Sequence, residues 1–435
     1  MEQNYEIVRG FEMSENRQVD GVHMHLENKK ISRNFFWLLW LLYAVVFMTK
    51  SCYSAAMASI VDEGILTKSQ TGLINAAFYG VYAPLQILGG IFSDKYNPER
   101  MIKIGLVGAG ISNLIIFLNQ NYYVMLLTWV FNAIIQFALW PSIFKIVSSQ
   151  LEPGYRTKGV YYISFSAAFG LILSYLVAAV VSKWQYNFLI SAVSLFGFAI
   201  VFHVVDMRVE KYMMPDDTPR VKEFGVDATK KNISTWKLFL TSGFLCMVVV
   251  TALRTIVANS VKTLSATLLM ESYEKVSPAI GNLLNIIIII AGVLGVFLVN
   301  QFFYPRFIKN EVVASLLLGL IAVPPIVVMS FVGTIKMMYF LIALCIASLV
   351  LNGEAILMSW CNAAYARYGK NGVASGVSNS ASALAFMIQN YIIVAIADSS
   401  GWKSVIYVWI GLLLVSTLFV VIALPLWSRF KKNKI

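Results

Sequence analysis

Long apolar runs separated by short polar connections dominate the chain. They extend from Phe35 to Val61, Ser69 to Phe92, Met101 to Leu118, Tyr122 to Val147, Gly159 to Val181 and Gln185 to Val205. A second set covers Lys237 to Met270, Ser277 to Phe302, Glu311 to Val332, Lys336 to Tyr365, Val373 to Ala397 and Trp402 to Trp427. About 20 residues at a rise of ~1.5 Å cross a hydrocarbon core roughly 30 Å thick, so each run reads as a membrane helix. Stretches such as Leu283 to Val299 lack the alternation that the strands of a membrane barrel, about 10 residues each, require. Between the two sets, Met207 to Trp236 carries Pro215, Asp216, Asp217, Pro219, Arg220, Lys222 and Glu223, too charged to span and too poor in large apolar residues to build a core. The pattern predicts an all-α membrane protein of about 12 transmembrane helices in two six-helix halves. Its expected parts are a cytoplasmic tail at 1–34, a first half at 35–206, a cytoplasmic linker at 207–236, a second half at 237–427 and a second cytoplasmic tail at 428–435.

Composition sharpens this picture. With 58% hydrophobic and 13% charged residues over 435 positions, the chain has too little polar surface for a water-soluble body of its size. The formal charge of +12 follows the connections: with the amino end inside, Lys95, Arg100, Lys103, Lys145, Arg156, Lys158, Arg306, Lys309, Arg367 and Lys370 fall on the cytoplasmic side. The opposite loops hold Lys68, Lys183, Lys275, Lys336 and Lys403. Topology and attraction to anionic membrane lipid therefore account for the basic balance, and no nucleic-acid partner is expected. Residues 1–28 lack the charged start, apolar core and cleavage site of a secretory signal. Cys52, Cys246, Cys345 and Cys361 all lie in apolar runs without metal-ligand spacing, so neither disulfides, metal nor cofactor is implied.

Once the topological charges are set aside, Lys50, Arg254 and Lys262 remain inside helices. A cation in lipid costs at least about 2.5 kcal/mol, so each should face a wet cavity or a partner. At ~1.5 Å per residue, Lys50 lies roughly 22 Å along the first run and Arg254 roughly 26 Å along the seventh. Two halves related by an axis along the membrane normal would bring such positions together around one ligand. A Lys point charge and an Arg fork suit the oxygens of a phosphate or carboxylate, so a small anionic solute is expected, with Lys50 and Arg254 as its clamp. Lys262 sits nearer the outer surface, where snorkelling competes with ligand binding.

Local motifs add a resemblance. Gly90-Ile-Phe-Ser-Asp94-Lys95-Tyr-Asn97-Pro98 closes the second run, Gln136-Phe-Ala-Leu-Trp140-Pro141 with Lys145, Arg156 and Gly159 links the fourth to the fifth, Val61-Asp62-Glu63-Gly64 follows the first, and Gly401-Trp402 precedes the last. These stretches resemble the organophosphate to inorganic phosphate antiporters of the major facilitator superfamily. The resemblance implies the major facilitator fold, alternating access, and paired cations on helices one and seven. Counting back from Gly64 places the first at Lys50, and the second falls on Arg254 or Lys262. Tyr82 matches a cavity tyrosine, Gln86 stands where a Lys is common, and Ala168 where some members have His. Gly90, Asp94, Lys95 and Arg100 correspond to the gating motif, in which Asp94 can cap or bridge helix ends and the basic residues hold the cytoplasmic face.

Glu354 is the one acid deep in an apolar run; it can bind a proton and couple transport to it, or serve as a structural partner for Arg254 or Lys262. Asn132, Gln136, Ser164, Ser166, Asn362, Ser378, Asn379, Ser382 and Gln389 can bond solute hydroxyls or act as packing polar groups. No Gly-rich phosphate loop and no nucleophile set is present, so an enzyme is not expected. The expectation is a secondary active transporter in the inner or plasma membrane, a monomer with both termini cytoplasmic, exchanging an organophosphate for inorganic phosphate. Proton-coupled symport of a carboxylate or other small organic solute, and a transporter-like sensor, are the alternatives.

Overall fold

The computed structural model describes residues 24–215, 234–304, 310–365, 368 and 370–432. Helices follow the apolar runs, and their ends are set by local chemistry. The first, α1, spans Lys29–Asp62, six residues earlier than hydropathy predicts, because the Asn28 side chain accepts from the backbone of Lys30 and Ile31 and carries the helix through its polar first turn. Thr67 and Gln70 form a capping box that starts α2, Lys68–Lys95, and Asn97 with Pro98 starts α3, Pro98–Leu118.

The fourth run, expected to be continuous, is broken into α4, Tyr122–Gln136, and α5, Leu139–Ser149. Pro141 has no N–H to give the carbonyl four residues back, and the freed Phe137 oxygen instead accepts from Gln86 Nε2 at 3.4 Å. After α6, Pro153–Val180, and α7, Gln185–Glu210, a short antiparallel ribbon pairs β1, Met24–Leu26, with β2, Met213–Pro215. The ribbon ties the start of the linker to the segment before α1, a contact that hydropathy does not foresee. Residues 1–23 of the expected tail and 216–233 of the expected linker lie outside the described residues.

The seventh run comes in three pieces: α8, Thr235–Thr241, α9, Phe244–Thr263, and α10, Ser265–Ser272. Then follow α11, Pro278–Leu298, running into a π turn at Val299–Phe303, α12, Glu311–Met329, and α13, Met337–Ala363. The last pair is α14, Asn371–Ile388, a π turn at Gln389–Ile393, and α15, Val394–Lys431, which bends at Gly401 and so contains the turn between the last two spans. With the broken runs counted once each, two six-helix halves result, all-α apart from the ribbon.

Within the first half, α1 packs on α6 and α3 on α7; within the second, α11 and α12 pack on α13 and α9 on α15. Close approach needs glycine at two seams. A Cβ on Gly170 of α6 would strike the Ala44 carbonyl of α1, and one on Gly295 of α11 would strike the Leu349 carbonyl of α13. The halves meet through α2 against α14 and α6 against α11. Hydrogen bonds between described residues of the two halves gather toward the end away from the termini. Lys68 Nζ reaches Glu271 Oε2 at 2.8 Å, and the same carboxylate oxygen accepts from Trp402 Nε1 at 2.8 Å. Ser69 bonds Asp398 through its backbone and hydroxyl, Asn75 Nδ2 donates to Asn390 Oδ1 at 2.9 Å, and Asn282 Nδ2 donates to the Ala55 carbonyl at 3.2 Å.

The two glycine seams make a stability prediction. Gly170→Val or Gly295→Val should each cost about 1 to 3 kcal/mol through forced separation of the helices, whereas Gly197→Ala, with open space around it, should be neutral. Thermal midpoints in detergent would read this, and equal midpoints for all variants would overturn the packing account.

Candidate functional site

Lys50 lies one turn after Phe47 on α1, and both face α2 where Phe78, Tyr79 and Tyr82 share a helix face at three- to four-residue spacing. The ammonium nitrogen sits 3.7 Å from the centroid of the Tyr82 ring, 5.5 Å from Phe78, 5.6 Å from Tyr79 and 5.9 Å from Phe47. No ion pair between described residues involves Lys50. The negative faces of aromatic rings therefore hold the charge, at roughly 2 kcal/mol for a desolvated contact, of the same order as the cost of bringing a cation into the membrane. Lys50 nevertheless keeps part of its surface open.

Phenols extend this cluster. Tyr43 and Tyr79 both interact electrostatically with Tyr82, and Tyr79 does so with Tyr175 of α6. Tyr175 reaches into the second half: its hydroxyl donates to the Thr263 carbonyl at 3.2 Å and lies beside Asn285 of α11. Asn285 Nδ2 in turn donates to the Lys262 carbonyl at 2.7 Å. Lys262 is half-buried near the end of α9, on the stripe that also carries Thr255 and Ala258. Tyr79 thus lies beside Lys50 in one half, and Tyr175 reaches the residues around Lys262 in the other.

Arg254 has a different environment. Only 2% exposed, it donates through Nη1 to the Ser315 carbonyl at 2.9 Å and hydroxyl at 3.0 Å, and through Nε to Ser416 Oγ at 2.9 Å. Nη1 also pairs with Glu354 Oε1 at 3.0 Å, and Ser315 Oγ donates to the same oxygen at 2.6 Å. The guanidinium presses on Gly319 of α12, where a Cβ would collide with Nη2. All of these partners belong to the second half. Of the expected clamp, Arg254 therefore has its fork engaged by Glu354, Ser315 and Ser416 within the second half, and Glu354 pairs with Arg254.

Residues 39–390 match the Major Facilitator Superfamily. The chain belongs to that family. Among similar proteins, the membrane sensor protein UhpC of Escherichia coli is 32% identical over 104 residues, 24% of each chain. A probable hexose phosphate transport protein of Chlamydia trachomatis is 27% identical over 113 residues, 26% of this chain and 25% of its own. The match thus spans about a quarter of the length of these relatives. Among solved structures, a mutant of the peptide transporter POT in complex with sulfate superposes with a TM-score of 0.70 at 13% identity, covering 91% of this chain and 94% of that one. A bacterial homologue of the human lysosomal transporter Spinster gives 0.68 at 16% identity over 93% and 98%. At these identities the likeness establishes the fold alone.

The other sequence-derived candidates of this facilitator divide by what they touch. Tyr82 lies against Lys50, whereas Gln86 lies next to Tyr82 and bonds the carbonyl freed by Pro141. Gly90, Asp94 and Lys95 end α2, with side chains outside the described residues; Arg100 is exposed on the first turn of α3, its backbone N–H donating to Asn97 Oδ1 at 2.9 Å. Gln136 donates to Asn132, Ser378 to Asn362, and Asn259 to Gln389, each within one half. Tyr43, Tyr79, Tyr175 and Asn285 were absent from the sequence-derived set. The three-residue step from Phe47 to Lys50 and from Tyr79 to Tyr82 was the available signal.

The Arg254 environment predicts a cycle of stabilities. Arg254→Met alone should cost about 3 to 5 kcal/mol by stranding a buried carboxylate, and Arg254→Met with Glu354→Leu should recover most of it. Thermal midpoints of the purified variants would read the cycle; a harmless single change would show the pair to be uncoupled.

Proposed function

We propose that this facilitator moves a small anionic solute, an organophosphate exchanged for inorganic phosphate, by alternating access of its two halves in a cell membrane, as a monomer with both termini cytoplasmic. The observation that carries the reading is Lys50: a cation deep in a membrane helix, ringed by aromatic faces and phenols, with no carboxylate among the described residues to neutralise it. An incoming anion would supply the missing charge, and the hydroxyls of Tyr79 and Tyr82 can donate to its oxygens. Lys262 takes the place of second cation in this reading, because Arg254 is committed to Glu354. Two lysines present point charges with three donors each, which suit a tetrahedral oxyanion without demanding a planar fork. The hexose phosphate transport proteins among the relatives favour a phosphorylated solute.

Alternating access requires the contacts at one end to break as those at the other form. The bonds of Lys68, Ser69 and Asn75 to Glu271, Asp398 and Asn390 would then be the ones that part to admit solute from the side opposite the termini. A second reading, a membrane sensor, is favoured by the similarity to UhpC.

Proteoliposomes loaded with inorganic phosphate should take up a labelled hexose phosphate, and empty vesicles should not. Lys50→Gln and Lys262→Gln should each weaken the apparent affinity by about tenfold or more through loss of a charge-assisted contact. Uptake that ignores internal phosphate would remove the exchange mechanism. Binding without uptake would favour the sensor, and unchanged affinity in both Lys variants would remove the two-lysine site.

A further inference from the structure

A groove of about 390 Å³ continues the contact of α2 with α14 through which the two halves meet. Leu73, Ala77 and Gly80 of α2 line one side, and Met387 of α14 with Tyr391 and Ile392 of the π turn line the other. The buried faces of the same segments are polar: Asn75 Nδ2 donates to Asn390 Oδ1 and to Ser54 Oγ, each at 2.9 Å, and Trp129 Nε1 donates to Asn75 Oδ1 at 3.4 Å. The groove itself is apolar apart from the Tyr391 phenol, and Leu73, Tyr391 and Ile392 are exposed. Backbone spacing shapes it. At Gly72 the seam is tight, since a Cβ there would strike the Asn390 carbonyl, whereas a Cβ on Gly80 would meet only the end of the Met387 side chain. The segments separate away from Gly72, and a wedge opens between them.

We propose that this groove holds one acyl chain of a membrane phospholipid, wedged between the halves, and that its occupancy favours the arrangement closed at the end away from the termini. Depth selects the occupant. At ~1.5 Å per residue, Leu73 to Gly80 lie roughly 8 to 18 Å beyond the start of α2 at Lys68, within one leaflet of a hydrocarbon core about 30 Å thick. Acyl chains are what the bilayer offers there. Water needs two to four polar partners, which this lining does not provide, and an empty wedge forfeits the dispersion contacts of the atoms around it. A chain against a single helix face touches one wall, whereas a chain in the groove touches two.

Each half supplies one wall, so parting the halves at this end takes one wall away from the chain. A ligand that binds better to one arrangement shifts the population toward it, and the shift is reciprocal. The chain thus adds to the bonds of Lys68, Ser69 and Asn75 that already cross the seam. This coupling rests on the rocking of the halves proposed above; the chain site itself does not.

Photolabelling of the full chain tests both parts. The protein is reconstituted in phosphatidylcholine vesicles containing a small fraction of phosphatidylcholine with a diazirine midway along one acyl chain, illuminated, digested and mapped by mass spectrometry. Peptides carrying 73–81 and 387–392 should be labelled several-fold more than the α7 peptide, whose exposed Val193 and Ile200 meet ordinary bilayer lipid. Ala77→Phe, which fills the groove, and Ile392→Trp, which covers it from an exposed position, should each remove the enrichment and leave α7 labelling unchanged. Thermal midpoints in detergent verify that each variant is folded. Equal labelling of the groove and α7 peptides shows bulk lipid only and overturns the proposal, as does enrichment that survives in both variants. Lys68→Gln with Ser69→Ala, which loosens the closed end, should lower the groove labelling several-fold. Enrichment that persists unchanged in that variant removes the coupling and counts against the rocking of the halves, while the chain site stands.

Discussion

A charge placed in the hydrocarbon layer must find a counter-charge, a dipole or water, and this constraint organises the interior of the molecule. It is met in two ways. Arg254 is neutralised by Glu354 and enclosed by Ser315, Ser416 and the bare backbone of Gly319, so it joins α9, α12, α13 and α15 into one body. Among the described residues Lys50 meets ring faces and no carboxylate, and it keeps part of its surface open, the arrangement on which the proposed anion site rests. A completed pair gives rigidity, and an incomplete one leaves a charge that a ligand could complete.

The same division runs through the polar groups of the helices. Gln136 with Asn132, Ser378 with Asn362 and Asn259 with Gln389 satisfy one another within a half, where a lasting hydrogen bond strengthens a body that moves as a unit. Among the described residues, bonds that cross between halves lie toward one end, where Lys68 with Glu271 and Asn75 with Asn390 hold the bodies together. Tyr79 and Tyr175 occupy the region between these two classes: Tyr79 is close to Lys50 and packs on the Phe386 ring of the second half at 5.0 Å, and Tyr175 reaches the Thr263 carbonyl. A ligand that draws Lys50 away from its rings would act on residues that already touch the opposite half.

The breaks in the helices also have local causes. Pro141 interrupts the fourth span and frees a carbonyl that Gln86 satisfies, which fixes Gln86 one turn from Tyr82. The π turn at Gln389–Ile393 sends consecutive amides to different partners, Gln389 to α9 of its own half and Asn390 to α2 of the other. An ordinary α turn would separate consecutive side chains by about 100° as well, but the extra residue resets the stripe so that both are buried at a helix crossing.

The number, length and order of the helices were legible in the sequence because they depend on one-dimensional quantities: run length against membrane thickness, and the polarity of Met207 to Trp236 against its neighbours. The identity of the charged candidates was legible for the same reason, since Lys50, Arg254, Lys262 and Glu354 stand out against apolar surroundings without any knowledge of packing. Their partners were not. Depth along a helix fixes one coordinate of a side chain, but its direction around the axis and the helix it meets depend on crossings among distant segments. Only the tertiary structure decided that Arg254 turns to Glu354, 100 residues later, while Lys50 turns to Tyr82 and pairs with no acid among the described residues. The physical reason is that pairing energies act over a few ångströms in space, where separation along the chain carries no information.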